Sequence, residues 1–232
     1  MNRKSFMRML GLGAMAAPAV IQRLSALLPA TDPLPTLFFG HGSPMNALEE
    51  NAFVEGWRNM AQRLTIRPEA ILCISAHWET FGTRITGVAM PPTIHDFGGF
   101  PAALHAVQYP APGHPGLAQH LVNGMHGRIA LDQEWGLDHG TWSVLRRVFP
   151  NADIPVLQLS LDRRLDAASH VALAKELGDL RNRGVLIIGS GNMVHNLSQV
   201  SWPHMNEIGY AHAWAETARM LLNDWVLKGD LA

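Results

Sequence analysis

Three histidines stand just past the ends of three separate apolar runs. Leu37-Phe38-Phe39-Gly40 leads to His41, Ile71-Leu72-Cys73-Ile74-Ser75-Ala76 leads to His77, and Val185-Leu186-Ile187-Ile188-Gly189-Ser190-Gly191 leads to His195 through Asn192-Met193-Val194. Neutral imidazole is the commonest protein ligand for a metal ion, and a mononuclear site takes about three such groups with positions left open for water or substrate. One histidine so placed carries little weight. Three with the same placement predict a shared site, provided the runs are strands of one sheet, because open α/β sheets bind ligands in the crevice outside the carboxyl ends of their strands.

The elements that must position these histidines are legible. Strand-like runs fall at 36–40, 70–76, 85–90, 154–160 and 185–189, short and rich in β-branched or aromatic residues. Helix-like segments alternate with them at 52–64, 117–125, 142–149, 167–180 and 206–227, the last with Gly209 as a weak point. Phe53, Trp57, Met60 and Leu64 recur at spacings of three and four, which makes one apolar stripe. The alternation predicts an α/β fold with a largely parallel sheet covered on both faces. Between Pro91 and Pro112 proline and glycine are dense, so a fixed irregular loop is expected. Its His95, Asp96, Phe97 and Phe100 either face a flat aromatic substrate or hold a rigid connector with the two phenylalanines pinned into the core.

Composition narrows the class. A chain of 232 residues, 47% hydrophobic and 16% charged, suits one well-buried domain. A net charge of -1 gives no electrostatic footprint for nucleic acid or an anionic membrane. The single cysteine, Cys73, excludes an internal disulfide and a cysteine-based metal cluster, and its apolar neighbours make it a small core residue. Arg3, Lys4 and Arg8 precede an uncharged stretch over 9–21, shorter than the ~20 residues that cross a bilayer. Arg3 to Arg8 looks like a twin-arginine export leader with lysine in the second place, and Ala16-Ala17-Pro18-Ala19 offers small residues for cleavage. The expected division is a leader-like or flexible segment over 1–34 and a catalytic domain over 35–232. A cytoplasmic location is expected, with export as the alternative.

Longer motifs carry a resemblance. Gly40-His41-Gly42-Ser43-Pro44-Met45-Asn46 and Ser75-Ala76-His77-Trp78 resemble the first two motifs of the class III extradiol ring-cleavage dioxygenases. The stretches 92–101, 109–113, 135–142 and 189–197 are similar to its DOPA 4,5-dioxygenase branch: Pro-Thr-Ile-His-Asp-Phe-Gly-Gly-Phe-Pro, Tyr-Pro-Ala-Pro-Gly, Trp-Gly-Leu-Asp-His-Gly-Thr-Trp and Gly-Ser-Gly-Asn-Met-Val-His-Asn-Leu. The resemblance implies a three-layer α/β/α sandwich around a largely parallel central sheet. It implies one divalent metal, Fe(II) for activity, with Zn(II) also found in this branch. His41 and His77 become metal ligands. His195 sits at the metal as a further ligand or as the acid/base beside it, and His139 is a catalytic histidine contacting substrate or dioxygen. His95, Phe97 and Trp78 become substrate-binding candidates. The partners are a DOPA-like catechol and dioxygen, with no nucleic acid and no membrane; the oligomeric state is left open. The resemblance also implies a metal-site residue in a Pro-Glu-His-Tyr-Leu-Pro-like segment near the C terminus. The 232 residues contain no such segment, and His204, Glu207 and His212 have no matching context. The domain is therefore expected to be C-terminally short, with weak iron binding and slow turnover.

The chemistry follows from the residue types as well. Cleaving a catechol with dioxygen needs a metal that binds both reactants and passes electrons between them, and a few imidazoles or carboxylates on one face leave the other positions free for this. Neutral histidines nearby can take a catechol proton and return it. Two other readings use the same residues: a zinc-dependent hydrolase that activates water, and a truncated, inactive metal-binding homologue. Ser43 and Ser190 lie near histidines, but neither stands in a Gly-x-Ser-x-Gly elbow.

Overall fold

The apolar runs form strands of one sheet, and the sheet carries both cores. The structure, a computed structural model, describes residues 27–204, 207 and 209–229. The leader-like residues from Arg3 to Ala19 and the expected helix start at Asn206 lie outside the described residues. Among those described, β1 (Thr36–Gly40), β2 (Ala70–Thr80), β3 (Thr83–Thr86), β4 (Ile129–Asp132), β5 (Val156–Asp162) and β6 (Val185–Gly191) lie in the order β1-β6-β2-β5-β3-β4. Every pairing is parallel except β3 with β5, which meet antiparallel at Ile85 and Leu159. The helices are α1 (Ala52–Gln62), α2 (Ala102–His105), α3 (Pro115–Gly124), α4 (His139–Val148), α5 (Ala167–Leu177) and α6 (Ala213–Lys228).

A strand buried on both faces reads as a continuous apolar run, and alternate residues then feed two cores. Ile71 and Cys73 of β2 join Val156, Leu186 and Ile188 under Val54 and Trp57 of α1 and Trp142 and Leu145 of α4. Ala70 and Leu72 point the other way, with Leu157, Leu159 and Val185, under Leu117 and Leu121 of α3 and Leu173 and Leu177 of α5. The result is the three-layer α/β/α sandwich.

Several boundaries differ from the sequence reading. The strand in the run at 85–90 is Thr83–Thr86, so it starts before Ile85 and ends early. β4 was not expected: it has four residues, too few to show a periodicity. α6 begins at Ala213, after Gly209 at φ +86° breaks the chain direction. β2 runs four residues further than 70–76, through a register shift between Ile74 and Glu79. No helix among the described residues is long and apolar enough to cross a membrane.

Candidate metal centre

Three histidines meet where β1, β6 and β2 end. His41 follows the last residue of β1, and its amide donates to the Gly191 carbonyl at 3.3 Å, which carries the β1–β6 ladder one residue further. Asn46 Nδ2 donates to the His41 carbonyl at 3.0 Å, so the backbone is held from both sides. His77 lies in the irregular stretch of β2. Pairing with β6 ends at Ser75, and pairing with β5 resumes only at Glu79. A bulge of this kind re-aims side chains, and here it turns His77 into the crevice. His139 opens α4. Asp138 caps that helix by accepting from the Thr141 amide at 3.1 Å, and Gln158 Nε2 donates to its other oxygen. Burial pushes the Asp138 carboxyl up to about 6.

His41 Nε2 and His77 Nε2 are 3.0 Å apart. Two donors ~2.1 Å from one ion and at right angles to each other stand ~3.0 Å apart, so this pair already has the spacing of two ligands. The His139 ring lies 3.9 Å from that of His77 and 5.6 Å from that of His41, centroid to centroid. One ligand nitrogen from each of the three falls within 4.8 Å of the others.

Hydrogen bonds decide which nitrogens keep a lone pair. Asp96 Oδ1 accepts from His139 Nδ1 and from the His139 amide, each at 2.9 Å; a carboxylate only accepts, so Nδ1 carries the proton and Nε2 is bare. Charge is suppressed as well. Burial pushes His41 down to about 3, helped by the neighbouring His77, His139 and His195. Burial pushes His77 down to about 4, helped by His139 and His195. His41 and His77, kept from charging by burial, and His139, with its Nε2 bare, supply the nitrogen donors a divalent ion takes, and these residues fit one.

The structure brings His41 and His77 together as expected, but the third imidazole within reach of them is His139. His195 is exposed, on the segment after β6, close enough for its charge to act on both rings yet outside the group of three. β6 ends at Gly191, and the chain is tied there through Asn192 Oδ1, which accepts from the Gly42 amide at 2.9 Å; His195 lies three residues beyond that tie. Phe97 sits edge-on to His139 at 5.5 Å and also packs against the core, so it is pinned and beside the site at once. His95 Nε2 donates to the Val107 carbonyl at 3.0 Å, which secures the loop. Trp78 is buried and stacked on Trp135, centroids 5.4 Å apart and planes 1° from parallel. The sequence reading set Asp96 among residues that could face a flat substrate and gave Ser190 and Gly140 no role in the site; in the structure Asp96 holds His139. The one available signal was Ser190, a polar residue inside an apolar strand, since such a residue needs a buried partner.

Comparison with known proteins decides the family. The family described as the catalytic LigB subunit of aromatic ring-opening dioxygenase matches residues 35–225. The chain belongs to that family. It is 51% identical over 171 residues to a protein of Escherichia coli (strain K12) named 4,5-DOPA dioxygenase extradiol, a match covering 73% of this chain and 63% of the relative. A protein of the same name from Beta vulgaris is 43% identical over 168 residues, covering 69% of this chain and 62% of the relative. One from Portulaca grandiflora is 37% identical over 202 residues, 84% of this chain and 72% of the relative. The first two matches thus span less than two thirds of those relatives' lengths. Among solved structures, an uncharacterized protein from Escherichia coli K12 is similar with a TM-score of 0.67 at 40% identity, covering 84% of this chain and 72% of that one.

Proposed function

We propose that this LigB-family chain is a non-haem, iron(II)-dependent extradiol dioxygenase that opens the ring of a DOPA-like catechol. The observation that carries the reading is the meeting of His41, His77 and His139 at the carboxyl ends of the strands, in a chain whose relatives bear the name 4,5-DOPA dioxygenase. Bound iron(II) supplies the one-electron steps that let dioxygen react with an electron-pair substrate. His41, His77 and His139 would hold it, His139 through the Nε2 that its bond to Asp96 leaves bare. His195, exposed beside them, takes a proton from a catechol hydroxyl and gives it back to product, the task of an imidazole near neutral pH. Phe97 offers an apolar edge beside His139 for a flat ring.

The test is oxygen uptake over a panel of catechols after anaerobic loading with iron(II), with metal content measured on each variant. Iron-dependent uptake with a ring-opened product supports the reading; zinc-dependent hydrolysis without uptake overturns it. His195→Ala is expected to keep its metal and lose turnover by ~10²–10⁴-fold. His139→Ala is expected to lose metal and turnover together. If His139→Ala keeps its metal and only turnover falls, His139 is the acid/base group and the ligand assignment is wrong.

A further inference from the structure

A buried hydroxyl ties His41 to the backbone of the helix that His139 opens. Ser190 is the sixth residue of β6 and is 2% exposed. It lies in register with Phe39 of β1 on one side and Ser75 of β2 on the other, directly beneath the crevice. Its hydroxyl proton goes to the Gly140 carbonyl at 2.5 Å. A carbonyl has no proton to give, so the direction of that bond is fixed. The Ser190 oxygen is then left to accept, and His41 Nδ1 stands 2.9 Å from it. The chain of donors therefore runs from His41 Nδ1–H to Ser190 Oγ–H to the Gly140 carbonyl. It links the histidine after β1 to the first turn of α4, one residue past His139.

We propose that Ser190 is a positioning residue for the metal centre: it holds His41 in the Nδ1–H tautomer with the Nε2 lone pair turned toward His77 and His139. The inference rests on the three-histidine reading above. It differs from the nucleophilic role a serine beside a histidine would suggest, because the hydroxyl proton points away from the imidazole and the crevice. The two tautomers of a free imidazole are close in energy, so an unanchored His41 presents an N–H to the ion part of the time. Asp96 gives His139 the same service with a carboxylate. The two anchors come from different elements, one from β6 and one from the 91–112 loop, so both rings are held before any ion arrives.

The test uses the full chain in two states. In the metal-free state, long-range ¹⁵N–¹H NMR of the imidazoles reads the His41 tautomer directly. The wild type is expected to show protonated Nδ1; Ser190→Ala is expected to shift His41 toward the Nε2–H form, and Ser190→Thr, which keeps the hydroxyl, to retain the wild-type pattern. In the second state, Zn(II) is titrated against a competing chelator. Affinity is expected to fall ~10–100-fold in Ser190→Ala and to stay near wild type in Ser190→Thr, as for other groups that orient a ligand. Ser190→Cys, nearly the same shape with a weaker hydrogen-bonding group, carries the same expectation and replaces Ser190→Ala should that variant fail to fold. An unchanged His41 tautomer in the alanine or cysteine variant, or Zn(II) affinity within twofold of wild type, overturns the proposal. If the wild type itself binds no Zn(II), the metal-centre reading falls, while the tautomer measurement still decides whether Ser190 holds His41.

Discussion

Asp96 selects the lone pair that His139 presents, and its replacement isolates that effect. Asp96→Asn keeps the shape and removes the carboxylate, so metal affinity is expected to fall ~10–100-fold, read by competition with a chelator. The histidines also set an acid limit. His41 and His77 drop from an ordinary 6.5 to about 3 and about 4 in the fold, so the unfolded chain binds their protons first as pH falls. Stability then rises with pH wherever the unfolded state holds more protons. Their contribution is complete above about 6.5 and is lost as pH falls from there toward 3. Thermal melts of the metal-free chain should therefore drop between pH 7 and 4, and the slope should shrink in His41→Asn and His77→Asn; equal slopes in all three contradict the assignment. His41 and His77 were legible because each follows an apolar run. Asp96 and Ser190 were not, because they meet their histidines across 43 and 149 residues of sequence, a distance no local pattern spans.

The start of α4 is the element on which the site depends most closely. Asp138 caps it, His139 opens it, and Gly140 leaves room for its neighbours: a Cβ there would stand 2.5 Å from Ser75 Oγ and 2.9 Å from His77 Cδ2. Alanine is favoured over glycine in a helix by about 1 kcal/mol, but a clash of this size costs ~1–3 kcal/mol and displaces His77. Gly140→Ala is therefore expected to be destabilised in urea unfolding and to bind Zn(II) more weakly. A stabilised variant with unchanged affinity contradicts the packing described. The strand end that positions His41 follows from an apolar run visible in sequence, whereas the helix that His139 opens starts, at the Asp138 cap, ahead of the expected 142–149 segment. The bulge that aims His77 was not visible, because Ser75 to Thr80 keeps a strand-like composition while its hydrogen bonding slips. β4 escaped notice for lack of length, and the last helix was drawn too long because its composition stays helical through the turn at Gly209.

Across the whole molecule, order is unevenly distributed. β2 and β6 lie between two cores, whereas α6 contains no buried residue and leaves Trp214, Leu221 and Trp225 between 43% and 49% exposed. Hydrogen exchange is expected to be slowest in β2 and β6 and faster by orders of magnitude in α6, since opening energies follow burial. Cys73 reports the same core: burial pushes its thiol up to about 12, so iodoacetamide at pH 8 should label it only on global unfolding. Appreciable labelling of the folded chain contradicts the two-core packing. The central claim is that His41, His77 and His139 together hold one divalent ion. It is tested most directly by an anomalous difference map at the iron edge from crystals loaded anaerobically with iron(II). A single peak is expected, ~2.1 Å from the Nε2 atoms of all three. A peak held by His195 without His139, or no peak among the three rings, contradicts it.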